Sequence, residues 1–82
     1  MNTTLGEYRV GISFNPGGNA MVNSIKRAAA DLIDLCEAIP KPENPDDFPE
    51  VQRLVALAMT HFEDGAMWAV KAATKPPCGG GG

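Results

Sequence analysis

Two long stretches carry the apolar pattern of this chain. In residues 19–39, NAMVNSIKRAAADLIDLCEAI, Val22, Ile25, Ala29, Leu32, Cys36 and Ile39 recur at alternating steps of three and four. That spacing lines one face of an α-helix. Met21, Ala28, Ile33 and Leu35 widen the face until, at about 100° per residue, it covers nearly half the helix. One partner helix does not need so broad a stripe. Lys26 stands just off its edge, with Arg27 further round, where a helix can hold a charge in a groove without burying it. Residues 47–74 repeat the theme. Val51, Val55, Ala58, Phe62, Gly65, Ala69 and Ala72 form a heptad-like stripe, flanked by Leu54, His61, Ala66, Trp68 and Ala73. Leu57, Met59, Met67 and Val70 fall outside it. The small residues Gly65, Ala69, Ala72 and Ala73 would let another helix approach closely.

Between and before these helices the pattern changes. Tyr8, Val10, Ile12 and Phe14 alternate with Arg9, Gly11 and Ser13. Period two predicts extended backbone, and since no second strand exists to pair with it, an extended arm over 7–15 laid on the helices. In that geometry Tyr8 and Arg9 point in opposite directions. Residues 14–19, FNPGGN, are turn chemistry throughout, and Asn19 is a good N-cap for the first long helix. Pro40 stops that helix, and KPENP over 41–45 makes a stiff polar linker. Asp46 or Asp47 can cap the second helix, with Pro49 tolerated in its first turn. Pro76 and Pro77 end it, and 76–82 is a flexible Gly-rich tail. The reading is all-α: an antiparallel two-helix hairpin with an extended N-terminal arm. It forms one domain over 1–75 (arm 7–15, helix 19–39, helix 47–74). Such a hairpin encloses no core and both helices carry surplus apolar surface, so a homo-oligomer is expected.

Composition narrows the function. The chain has 82 residues and a net charge of −3. A domain this size buries only about 60% of the surface of its unfolded chain. An acidic balance argues against coating DNA or RNA, but a small anion needs only a local cluster of cations. No apolar run approaches the roughly 18 residues of a membrane span, and the N-terminus has no apolar signal core. A cytoplasmic protein without a membrane role is expected. Cys36 and Cys78 have no metal or redox spacing, and the only histidine, His61, reads as a packed or interface residue. Glu63 and Asp64 diverge by about 100° on a helix and cannot share a substrate. Asp31 and Asp34 lie away from the apolar arc and read as solvated. No nucleophile and base can be assembled, so no enzyme, metal or cofactor is expected. The most suggestive chemistry is Tyr8 and Arg9 on an arm that must pack near Lys26. An aromatic face suits a base and cations suit phosphates. Lys71 and Lys75 near Trp68 make a second, weaker constellation. The NPGG turn could add backbone N–H groups.

Three strings taken together, Tyr8-Arg9-Val10, FNPGGN over 14–19 followed by Ile25-Lys26, and AMWAVKAAT over 66–74, resemble the helical-hairpin domain of phage cyclic-nucleotide sponges. These are the anti-CBASS proteins and the related hairpin of the anti-Thoeris sponges. The resemblance spans roughly 7–74. It implies a homohexamer that binds cyclic dinucleotides such as cyclic GMP-AMP between protomers, and in some members cyclic trinucleotides at a separate site, without cleaving them. Tyr8 occupies the place of the base-stacking aromatic and Lys26 that of the phosphate-binding lysine. Phe14 and Asn15 join them as ligand-binding candidates, and Arg9, Lys71 and Thr74 are the candidates for the further site. By this resemblance no counterpart of the extra N-terminal domain of the anti-Thoeris relatives is expected, which favours the anti-CBASS type. Two alternatives stand beside this reading: capture of a cyclic ADP-ribose signal, and a helical adaptor whose apolar face binds a host protein.

Overall fold

The computed structural model describes residues 2–78. Within them every regular element is helical. Helix α1 spans Leu5–Val10, α2 spans Ala20–Glu37, a 3₁₀ turn covers Pro45–Asp47, and α3 spans Phe48–Ala73. The 18 residues of α2 and the 26 of α3 make rods of about 27 and 39 Å at 1.5 Å per residue. Residues 79–82 of the expected tail lie outside the described residues.

The extended arm is not what forms. Its first half is α1, and the cause is local. Thr4 Oγ1 accepts the Glu7 amide at 3.1 Å, and Glu7 Oε1 accepts the Thr4 amide at 3.0 Å, a reciprocal capping box. At the other end Gly11 takes a left-handed φ of 64°. Its amide donates to the Tyr8 carbonyl at 3.2 Å and the Ile12 amide to the Glu7 carbonyl at 3.0 Å, which is a Schellman closure. The period-two run straddles this helix end, so its alternation never lies on one strand.

The turn that follows is built as expected and then reinforced. Asn15 Oδ1 accepts the Asn19 amide at 3.1 Å, and its Nδ2 donates to the Asn19 carbonyl at 2.8 Å and to Asn23 Oδ1 at 2.9 Å. Asn19 caps α2, its Oδ1 accepting from the amides of Met21 and Val22. The opening of α3 differs from expectation. Asp47 makes no side-chain cap bond. Asn44 instead caps the 3₁₀ turn, accepting the Asp46 amide at 3.0 Å.

The buried line of α2 is Val22, Lys26, Ala29, Ala30, Ile33 and Cys36. It is rotated from the expected arc. Ile25 is half-buried, and Met21, Leu32, Leu35 and Ile39 are exposed. Two elements cover α2 rather than one: α1 packs over Ala30 and α3 packs alongside. On α3 only Ala66 is buried among the described residues, while Leu54, Leu57, Met67 and Trp68 are exposed. Asn19 Nδ2 at the start of α2 lies 3.5 Å from the Ala73 carbonyl at the end of α3. The molecule measures 57 × 29 × 14 Å with a radius of gyration of 16.0 Å. A compact chain of this length would have about 12 Å. The chain is therefore a thin layer of helices with much apolar surface on the outside. No helix among the described residues is long and apolar enough to cross a membrane.

Candidate functional site

Lys26 is the centre of the site, and it is buried, 8% exposed. This overturns its expected place at the edge of a groove. An ammonium can be tolerated there because the chain bonds it. Its Nζ donates to the Gly11 carbonyl at 2.9 Å and to the Phe14 carbonyl. Both acceptors come from the turn that follows α1. Lys26 thus ties that turn to α2 and, in return, has two of its three N–H groups occupied. The Phe14 ring, 72% exposed, lies with its centroid 5.4 Å from Nζ.

Two hollows open on either side of this lysine. One, about 490 Å³, is lined by Tyr8, Arg9, Phe14 and Lys26 together with Glu63, Met67 and Val70. The other, about 580 Å³, is lined by Phe14, Asn15, Pro16, Lys26, Thr74 and Lys75. Phe14, Lys26 and Val70 are common to both. Of the seven residues expected at the site, Tyr8, Arg9, Phe14 and Lys26 share the first hollow, and Phe14, Asn15, Lys26 and Thr74 share the second. Lys71 lines neither. Its Nζ lies 5.4 Å from the Trp68 ring centroid. A larger hollow of about 640 Å³ runs along α2 past Asn23, Arg27 and Asp31. Its guanidinium is already engaged by Glu7 and Asp31, so it offers less to an anion.

The chemistry of each lining residue follows from its partners. Tyr8 presents a ring that is 78% exposed. Arg9 is half-buried. Its Nε donates to Glu63 Oε1 at 2.7 Å, which joins α1 to α3. Asn15 spends its amide on the turn, and Thr74 Oγ1 donates to the Val70 carbonyl at 2.8 Å. Among the described residues each arginine is paired with a carboxylate and no lysine is. The charge left for an anion is therefore lysine charge. The Thr4 amide, followed by the Arg27 guanidinium, holds the Glu7 carboxyl below its usual 4.5. Glu7 and then Asp31 raise Arg27 in turn. No group of His, Cys, Asp and Glu side chains among the described residues is placed to hold a metal ion.

One residue near the site departs from its reading in the sequence. Asp34 is not simply solvated: it is half-buried and accepts the Gly6 amide at 2.7 Å. Glu63 is half-buried against Arg9, whereas Asp64 is exposed. Of the two readings of His61, packed or interface, its exposure in the single chain rules out packing within that chain. The signal for α1 was present as Thr4-Leu5-Gly6-Glu7, a capping-box string.

Compared with known proteins, residues 7–74 match the family model described as Acb2/Tad1, hairpin domain. No curated protein and no solved structure matches the chain significantly.

Proposed function

The chain belongs to the Acb2/Tad1 hairpin-domain family, the anti-CBASS and anti-Thoeris sponges, and from that premise we propose that it binds cyclic oligonucleotide second messengers and holds them without cleavage. Cyclic dinucleotides such as cyclic GMP-AMP are the first ligands of this reading, and cyclic trinucleotides the second. In a phage-infected cell the protein would act in the host cytoplasm and keep the messenger from the CBASS effector. It would take no cofactor and catalyse nothing.

The observation that carries the reading is the pairing of an exposed aromatic with a fixed lysine in one hollow. Tyr8 offers a π-face for a base, and base–aromatic stacking contributes about 1–3 kcal/mol. Lys26 has one N–H group beyond the two held by carbonyls, and it stands where both hollows meet. A phosphate there would face a cation that no carboxylate neutralises. Phe14 flanks the same ammonium. Asn15 and Thr74 line the hollows with their side chains bonded to the backbone, and Arg9 with its charge paired to Glu63, so their part is to shape the walls; Lys71 stands outside.

The same reading includes an antiparallel hairpin assembled as a homohexamer, with sites completed between protomers. Its support is the surface left uncovered: Leu54 and Leu57 on α3, Met21 and Leu35 on α2. Gly65 adds to it, standing mid-helix with open space beside it, where glycine costs about 1 kcal/mol relative to alanine. Sequestration asks only for affinity, slow release and abundance. A thermal-shift panel of cyclic di- and trinucleotides tests the proposal. A rise in melting temperature with at least one class supports it. A flat panel alongside a shift with a cyclic ADP-ribose isomer would move the ligand to that signal.

A further inference from the structure

Helix α1 carries Tyr8, yet a six-residue helix does not hold itself in place. What fixes it is an unusually close contact with α2. Gly6 is buried, and a Cβ built on it would lie 2.1 Å from the Ala30 carbonyl oxygen. Ala30 is itself fully buried. The backbones of the two helices therefore meet with no side chain between them. At this point the Gly6 amide donates to Asp34 Oδ1 at 2.7 Å. Asp34 lies one turn beyond Ala30 on α2, so a carboxylate and a missing Cβ meet where the two helices come closest. Tyr8 follows Gly6 by two residues, and its own ring is too exposed to be fixed by packing.

Three other ties reach α1 and its turn: Arg9 to Glu63, Arg27 to Glu7 at 2.8 Å, and Lys26 to the carbonyls of Gly11 and Phe14. The first and third are made by residues that line the ligand hollows, and the second is a largely exposed surface pair. Asp34 lines neither hollow. Resting on the reading of Tyr8 as the stacking aromatic, we propose that Asp34 is a positioning residue for the ligand: by holding the Gly6 amide it fixes where Tyr8 stands relative to Lys26. An aromatic held in advance loses less freedom when a base stacks on it, so part of the affinity resides in a residue the ligand does not touch.

A double-mutant cycle tests this, using cyclic GMP-AMP as the calorimetric probe and circular dichroism to check helicity. Asp34→Ala is expected to weaken binding about five- to tenfold, and no more than Tyr8→Ala does. Asp34→Asn keeps an acceptor oxygen and should stay within about threefold of the unmodified chain. The double variant Asp34→Ala/Tyr8→Ala should bind within about twofold of Tyr8→Ala alone, because the two residues act through one contact. Gly6→Ala displaces α1 without altering Asp34, and it takes the place of Asp34→Ala in the cycle if that variant loses helicity outside α1. Unchanged affinity in Asp34→Ala, or losses that add in the double variant, would overturn the role of Asp34 while leaving the ligand assignment intact. Absence of binding by the unmodified chain would overturn the ligand assignment and this role with it.

Discussion

Lys26 donates to the carbonyl of Phe14 and lies 5.4 Å from the centroid of the same residue's ring. One side chain thus serves the fold and faces the candidate ligand. Removing it cannot be a clean test of binding. Lys26→Met strips a charged donor from the Gly11 and Phe14 carbonyls and should cost about 2 kcal/mol of stability. For a domain of this length that is a fall of roughly 8–16 °C in melting temperature at fixed protein concentration. Cyclic dinucleotide binding should be lost in the same variant. A variant that melts like the unmodified chain would show that the turn is held some other way.

Tyr8 is the cleaner probe, because its ring is mostly in solvent. Tyr8→Ala should leave the melting temperature within about 4 °C, as surface substitutions do. Calorimetry with a cyclic dinucleotide should show a loss of about 1–3 kcal/mol, or roughly 5- to 150-fold. Full affinity in this variant would remove Tyr8 from the site.

Asn19 binds the first turn of α2 and is bound in turn by Asn15. Asn19→Ala should cost about 1 kcal/mol through loss of the cap, seen as a fall of roughly 4–8 °C in melting temperature. Asn19→Asp should retain most of the cap, since a carboxylate also accepts amides at a helix start.

Acid should loosen α1 before the long helices. The Glu7 carboxyl is held below its usual 4.5 by the Thr4 amide and by Arg27. A group whose folded value is lowered gives stability that is fully present above its unfolded value. That stability is lost as pH falls through the folded value. Amide exchange in residues 4–8 should therefore be steady from neutral pH down to about 4.5, after correction for intrinsic rates, and should accelerate below it. Glu7→Gln should abolish that acid-dependent step.

How legible these features were depends on the range of the signal. Asn19 and the 14–19 turn were readable because cap and turn chemistry is local. The broad apolar arcs announced two long helices and a surplus of outer surface, and Leu35, Leu54 and Trp68 are indeed exposed in the single chain. The arm was misread because alternation at 8–14 and a capping box at 4–7 compete over the same few residues. Only Gly11, with its left-handed backbone, decides between them. The burial of Lys26 was hidden because its acceptors are backbone carbonyls 12 and 15 residues away, and carbonyls leave no mark in composition. Asp34 was hidden likewise, its partner being the Gly6 amide 28 residues earlier.

The most direct measurement is titration of the purified chain with cyclic GMP-AMP, followed by heat release and chromatography of what had been bound. Saturable binding with intact cyclic dinucleotide recovered after denaturation is the predicted result. Linear product in the released fraction, or no binding of any cyclic di- or trinucleotide, would contradict the account of a protein that captures its ligand and leaves it whole.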